Sequence, residues 1–475
     1  MSTSPAPPWL ANPTPFSRRL LTLNKRLVVN PSNGSLAVRD QMLISVSASP
    51  VPVPPFHVSH LGEAVGNYLK RKKVTARLLT TVFAKLPNPL KLEDVAILKL
   101  VPPPGETIFS LVADLRKQVL SGQPAKASPN HVLIPAANEL WCPFGPPAPV
   151  STVQPSSPKG TEEVQVTVID SGYIWAPPSS GTPWGPNGSV NDNPLHGLTT
   201  SYQVHEADWL SLNSTQTTAT WQNGTPNEVD ANSDGKLDAL AGHANFVAGV
   251  IAQHCELPNI HIWNHNSGFS PKTPFDNLST EAAICRSLVM SQQDTPTQVI
   301  QIGHASPFLG NLASAAWGLA FARIAYRRHL SQDLVVTCPA GNQGLLPPPL
   351  PTIPRFPAAL HSTFPFVKGV GSYHQGTPTP WSNRGPWVAC SADGENVTSS
   401  FLYVHMPVED DPTGSSRDFT PNSWATWNGT SFAAPKVAGE LAAQLSPSVN
   451  AAQGWTNLMC TNCTSVPDYG IVFQF

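Results

Sequence analysis

The sequence predicts an α/β protein in two parts: a small α+β unit, then a larger domain built on a mostly parallel central sheet. Three observations point there. Beyond about residue 162, apolar runs of strand length alternate with helical patterns, as in a sheet covered by helices on both faces. Ahead of that alternation lies a Pro- and Ser-rich stretch, PFGPPAPVSTVQPSSPKG, with the composition of a semi-extended linker. Ahead of the linker, strand, helix and strand follow one another in about forty residues, enough for one compact α+β unit.

Taken in order, residues 1–40 are rich in Pro, Ser and Asn without a sustained period and read as a mobile arm. Residues 41–142 form the small unit. Within it His60–Leu86 reads as helical and carries the basic run Lys70-Arg71-Lys72-Lys73, expected to be a solvated helix face. Val95–Val101 is an apolar strand. Ile108, Leu111, Val112, Leu115 and Val119 recur at helical spacing, and His131–Ile134 is a further strand. Residues 143–161 are the linker, 162–448 the main domain and 449–475 a C-terminal tail. In the main domain the expected strands are Val164–Ile169, Asn259–Trp263, Gln298–Ile302, Leu334–Cys338 and Val367–Gly371. The expected helices are Phe246–His254, Glu281–Ser291, Leu312–Arg327 and Ser431–Leu445.

Composition narrows the function classes. With 52 Pro in 475 residues, about twice the usual share, long coiled coils and helical solenoids are excluded. A net charge of −2 argues against a nucleic-acid partner held by bulk positive charge. No apolar run reaches the roughly 18–20 residues a membrane span needs, and MSTSPAPPWLANPTPFSRRLL has no signal-peptide pattern. Seven cysteines, an odd number, do not form a disulfide framework. The expectation is a cytoplasmic protein without membrane partner. Charge is uneven, however: residues 1–100 hold 13 Lys+Arg against 4 Asp+Glu. The split reads either as a basic N-terminal part drawn to an acidic main domain or as two separately solvated surfaces.

Three short segments sit at strand ends or helix starts, where chemistry gathers in parallel sheets. The strand Val164–Ile169 ends in Asp170-Ser171-Gly172. Gly242-His243-Ala244-Asn245 opens one helix, and Asn428-Gly429-Thr430-Ser431 opens another. A serine hydroxyl needs a base to become a nucleophile, a histidine is that base near neutral pH, and a buried carboxylate fixes the histidine tautomer. A helix N-terminus beside Ser431 supplies backbone N–H groups for a developing oxyanion. A fourth segment, Ala340-Gly341-Asn342-Gln343-Gly344, ends a strand with an amide side chain able to donate to that oxyanion.

The chain order Asp, His, Ser, with Gly429-Thr430-Ser431-Phe432-Ala433-Ala434-Pro435, Ile169-Asp170-Ser171-Gly172 and Ala340-Gly341-Asn342-Gln343-Gly344, resembles the subtilisin-like serine proteases. The resemblance runs over about residues 162–446 and includes Val299–Ile302 as a substrate-flanking strand and Trp381–Gly385 as a later turn. It implies a subtilisin-like three-layer fold and a serine endopeptidase acting on proteins or peptides. The implied roles are Ser431 as nucleophile, His243 as base, Asp170 as its orienting acid and Asn342 in the oxyanion hole, with no cofactor required. It also implies that the small unit, where about 93–136 resemble a propeptide, acts as an intramolecular inhibitor holding a zymogen, with the linker as the place of cleavage. The alternative is a catalytically silent module on the same scaffold, binding a peptide or partner protein.

Two features depart from the family pattern. Ala244 and Asn245 follow His243 where Gly and Thr are usual, and Asn245 is expected to hydrogen-bond locally. The interval between Asp170 and His243 is long, with Ala176–Asn227 expected as a surface insertion beside the cleft, and a second insertion at Val404–Trp424. Asp230-Ala231-Asn232-Ser233-Asp234-Gly235-Lys236-Leu237-Asp238 begins like a calcium loop, but its twelfth position is Ala241 in place of the closing glutamate. An acidic turn is the expected reading there, a structural calcium the alternative. Cys460 and Cys463 form a single CxxC with no second pair nearby, and Cys338 is expected to be a small buried thiol.

Overall fold

A computed structural model describes residues 27–46, 63–83, 92–135, 146–170, 201–206, 215–217, 235–237, 241–264, 280–327 and 333–475, short gaps and single residues aside. The small unit comprises β1 (Leu27–Val29), β2 (Leu36–Val46), α1 (Glu63–Arg71), β3 (Thr75–Thr81), β4 (Asp94–Val101), α2 (Ile108–Gln118) and β5 (Ala127–Val132). Its sheet runs β1-β2-β4-β3, with β5 also pairing β2. The expected arm therefore does not extend to residue 40, because β1 and the first half of β2 come from it. A three-residue strand, here paired with the next strand through Leu27–Val38 and Val29–Leu36, is too short to show a period. Helix likewise does not span His60–Leu86: α1 ends at Arg71, Lys73 turns with φ +56, and β3 follows. The helix α2 starts where Thr107 and Ser110 close a reciprocal capping box.

Alternation along two strands explains how the small unit sits on the rest. Met42, Ile44, Ala96, Leu98 and Leu100 join α1 and α2 in one apolar cluster. Their neighbours Leu43, Val95 and Ile97 point the other way and share a core with Ile284, Leu288, Trp317 and Phe321 of the main domain. A fully covered Leu, Ile or Phe contributes about 1.5–3 kcal/mol, an exposed ion pair about 0–1 kcal/mol. Apolar cover is thus a main part of the docking. Among the described residues the basic run on α1 faces away from the main domain: α1 lies on the far face of the unit's sheet, and Lys72 after it pairs with Glu106 and Asp114 of its own unit.

Two short strands, β6 (Ile134–Pro135) and β7 (Ala148–Pro149), lead into the main domain. The domain continues with β8 (Val164–Asp170), β9 (Ser201–Glu206), β10 (Thr215–Thr217), α3 (His243–His254), β11 (Pro258–Asn264), α4 (Glu281–Asp294), β12 (Val299–Ile302), β13 (His304–Ala305), α5 (Ala315–Arg327) and β14 (Val335–Pro339). It closes with β15 (Val367–His374), β16 (Thr377–Pro378), β17 (Cys390–Ala392), β18 (Val397–Ser400), β19 (His405–Pro407), β20 (Ser416–Asp418), β21 (Trp424–Trp427), α6 (Thr430–Ala442), α7 (Ala451–Cys460), β22 (Thr464–Val466) and β23 (Gly470–Val472).

The central sheet is ordered β10-β9-β11-β8-β12-β14-β15-β17-β23-β22 and is parallel from β9 to β23. Val166 and Val168 face α3 and α6, whereas Ile169, Ile300 and Val336 face α4 and α5, which makes three layers. Two expectations change here. Part of Ala176–Asn227 is not a surface insertion: β9 extends the sheet beside β11, while most of that segment lies outside the described residues. The 449–475 segment is not a tail either, since α7 packs on α6 and β23 pairs with β17. The 143–161 linker is pinned as well. Ala148–Pro149 pair with Ala425 and Thr426 of β21, and Lys159 N–H donates to His254 O.

Candidate active site

Asp170 is the last residue of β8, a strand in the middle of the sheet, and is fully buried. His243 opens α3 after Gly242, whose φ of +79 turns the chain into the helix. Gly429 precedes α6, so Ser431 is the second residue of that helix. A close approach of α6 to α3 brings these helices together: a Cβ on Gly439 would lie 2.8 Å from both Ile251 O and His254 Cβ. The first turn of α3 is held from β18, where Ser399 Oγ donates to Phe246 O and Ser400 Oγ to Asn245 O.

His243 Nδ1 lies 2.8 Å from Asp170 Oδ1. An ionised carboxylate only accepts, so the proton resides on Nδ1 and Nε2 keeps a lone pair. The ring packs against Phe432 (centroids 5.4 Å) and edge-on to Trp427 (6.0 Å). Both His243 Nε2 and Ser431 Oγ are buried and make no hydrogen bond among the described residues. Each therefore keeps its hydrogen-bonding capacity for a bound group.

The fourth predicted residue completes the arrangement. Asn342 Oδ1 accepts from both the N–H and the hydroxyl of Thr430 at 2.9 Å, and Gly341 N–H donates to Thr430 Oγ1 at 3.0 Å. With Oδ1 so engaged, the amide nitrogen is turned toward Gly429. A Cβ there would lie 3.0 Å from Ser431 Oγ and 3.5 Å from Asn342 Nδ2. The missing side chain of Gly429 leaves one open spot that the hydroxyl and the amide both face.

All four residues read from the sequence are thus on adjoining strand and helix ends. Three supporting residues escaped it. Thr430 stood inside the quoted motif without a role. Asn383 stood inside the Trp381–Gly385 turn, and its side chain donates to Ala340 O and accepts from Gln343 N–H, while its own N–H donates to Gly341 O. Gly303 had no signal at all: a Cβ on it would overlap Asp170 Oδ2. Of the expected calcium segment Asp230–Asp238, only 235–237 are among the described residues. Burial pushes the Cys338 thiol up, well out of the ordinary range. No helix among the described residues is long and apolar enough to cross a membrane.

The sequence profile of the subtilase family matches residues 161–465. Mycosin-1 of Mycolicibacterium smegmatis is 29% identical over 234 residues, which are 44% of this chain and 50% of that protein. Among solved structures, fervidolysin from Fervidobacterium pennivorans, a keratinolytic enzyme related to subtilisin, aligns with a TM-score of 0.51 at 14% identity, covering 93% of this chain and 60% of that one. A lanthipeptide protease aligns with a TM-score of 0.42 at 18% identity, covering 65% and 85%. The chain spans about half the length of the curated relative it matches. The architecture is the subtilisin-like one.

Proposed function

The chain belongs to the subtilase family, a family of serine peptidases, and on that premise we propose that it is a serine endopeptidase in which Asp170, His243 and Ser431 act as one unit. The observation that carries the proposal is the 2.8 Å bond from His243 Nδ1 to Asp170 Oδ1, with Nε2 and Ser431 Oγ left buried and unbonded among the described residues. Nε2 takes the proton of Ser431 as Oγ attacks the scissile carbonyl carbon. The oxyanion is met by Asn342 Nδ2, which faces the open side of Gly429, and by the Ser431 backbone N–H at the start of α6. His243 then delivers its proton to the leaving amine, and the acyl-enzyme is opened by water activated at the same Nε2. Proton transfer and oxyanion binding come from this chain's own groups, so no cofactor enters the scheme.

The small unit is proposed as an intramolecular inhibitor. Ile134 and Pro135 pair antiparallel with Ala305 and His304, on the segment that continues β12 past Gly303. An extended substrate pairing with that edge meets a strand already there. The test is intact mass after incubation with a fluorophosphonate, on the parent protein and on Ser431→Ala. One adduct on the parent alone is expected, directly or after proteolysis within 143–161 frees the cleft. An adduct on both proteins, or on neither after that treatment, overturns the proposal and favours a silent binding module.

A further inference from the structure

At the centre of the contact between the small unit and the main domain lies a histidine. His131, in β5, is fully buried. Its Nδ1 is 3.1 Å from Oε2 of Glu281, the first residue of α4, itself fully buried and bonded through Oε1 to the Ser314 hydroxyl. Its Nε2 accepts from the Leu309 N–H at 3.1 Å. The ring stacks on Phe308 with centroids 4.4 Å apart and an interplanar angle of 12°. The same loop is gripped twice more from the small unit: Asn33 Nδ2 donates to Phe308 O, and Arg116 Nη1 donates to Leu309 O. One imidazole thus touches both the Phe308–Leu309 loop and the start of α4, beside the bonds of Asn33 and Arg116 to the loop and of Asn130 Oδ1 to the Ala282 N–H.

This bonding fixes the protonation state. A backbone N–H only donates, so Nε2 carries no proton, and the single ring proton sits on Nδ1 facing the Glu281 carboxylate. Nδ1 also lies 3.2 Å from Ser128 Oγ, whose hydroxyl donates to Pro129 O. The charged groups bearing on the ring among the described residues are Glu281 on α4 and Arg116 on α2. A second ring proton would set N–H against N–H at Leu309, and would place a cation in a sealed interior near the Arg116 guanidinium.

We propose that His131 and Glu281 form a proton-operated latch between the two units, closed while the imidazole is neutral and weakened when Nε2 takes a proton. Burial holds His131 below the ordinary histidine range, with the Glu281 bond opposing that shift only in part. Undocked, the ring meets water and protonates in the ordinary range of about 6.5. Docking accordingly has its full strength above that range and loses it as the pH falls through it, by up to about tenfold in the docking equilibrium for each pH unit, the limit for one linked proton. That acidification also raises peptidase activity rests on the inhibitory reading above; the latch itself does not.

The test separates the two. In full-length Ser431→Ala protein, amide hydrogen exchange is followed from about pH 8 to about pH 5, corrected for intrinsic rates, spanning the histidine range. Protection in Ala127–Val132 and at Leu309 is expected to fall below about pH 6.5, and to keep its high-pH value throughout in the His131→Gln variant. An equal fall in both proteins, or no fall in the parent, overturns the latch. A fall that Glu281→Gln abolishes while His131→Gln retains it also overturns it, since the carboxylate would then take the proton. Should His131→Gln not fold, ring nitrogen NMR of the parent decides: His131 neutral with its proton on Nδ1 at pH 7 is required, and a charged ring there refutes the idea. Undocking without any change in peptide cleavage by the active protein leaves the latch standing and removes the inhibitory reading.

Discussion

Gly303 and Asp170 compete for one volume: a Cβ on Gly303 would overlap Asp170 Oδ2 and come within 2.8 Å of its Cγ. The glycine stands in the backbone directly after β12, and Gly303 N–H donates to Ile169 O, so neither partner has slack to retreat. Its role is spatial.

The Gly303→Ala variant is expected to fold and to lose about 10²-fold in kcat, the usual consequence of displacing a catalytic group by about 1 Å. Thermal unfolding alongside kcat separates displacement of Asp170 from general damage. Full activity in Gly303→Ala would remove Asp170 from the proposed mechanism.

Asn342→Leu keeps the volume and deletes the amide. The expected result is a fall of about 10²–10³ in kcat with KM little changed, the ordinary worth of one oxyanion donor. Thr430→Val removes the hydroxyl that bonds Asn342 Oδ1 and receives the Gly341 N–H. It leaves a buried N–H unsatisfied at a cost of about 1–3 kcal/mol, and its kcat is expected between those of the parent and Asn342→Leu. Steady-state kinetics on a peptide substrate measures both.

Glu440 on α6 lies 3.0 Å from His254 Nδ1, at the end of α3, and 3.0 Å from Lys159 Nζ. Burial tends to raise its carboxyl, yet the hydrogen bonds from His254 and Lys159 prevail and hold it below the ordinary glutamate range. A carboxyl lower in the folded state stabilises above the ordinary range and ceases to do so as the pH falls through it. Glu440→Gln is therefore expected to lower the melting temperature at pH 7 and to converge on the parent in acid. The Lys159 end is solvent-exposed, so the difference is kept to about 1 kcal/mol. Melting curves between pH 3 and pH 7 report it.

Leu43 faces the main domain while its neighbours Met42 and Ile44 face the small unit's own helices. Leu43→Asp puts a charge into the interface and leaves that inner core untouched. Higher peptidase activity than the parent at neutral pH is expected, together with faster proteolysis within 143–161. Unchanged activity with visible undocking would count against inhibition by the small unit.

The groups proposed to react were legible because each carries its context in the adjacent residues: an apolar run before Asp170, a helix start at His243, glycine and small residues around Ser431. What supports them was not. Gly303 matters through an atom of a strand far away in sequence, and Asn383 through the loop at Ala340–Gln343, distances that no local pattern encodes. The shortest strands failed for a different reason: β1 and β23 have three residues each, too few to show a period, and are strands by virtue of pairing with β2 and with β17 and β22. The charge imbalance gave no guide to the residues in the contact, because net charge is a sum over surfaces, whereas Leu43, Val95 and Ile97 meet the main domain inside a core and His131 meets Glu281 there as a buried pair.

Strand order in the central sheet sets a timetable for synthesis. β8 lies between β11 and β12, so the strand bearing Asp170 leaves the ribosome long before either flank exists. Ser431 follows later still, and the edge of β17 waits for β23. The small unit, by contrast, has all its strands once Val132 is made and can fold first, as N-terminal units do during translation. Its exposed apolar face is then a ready template on which α4 and α5 settle as they emerge. A nascent chain has no assembled site until α6 is made, and Ile134 and Pro135, which follow the small unit directly, precede in synthesis the His304–Ala305 segment they pair with.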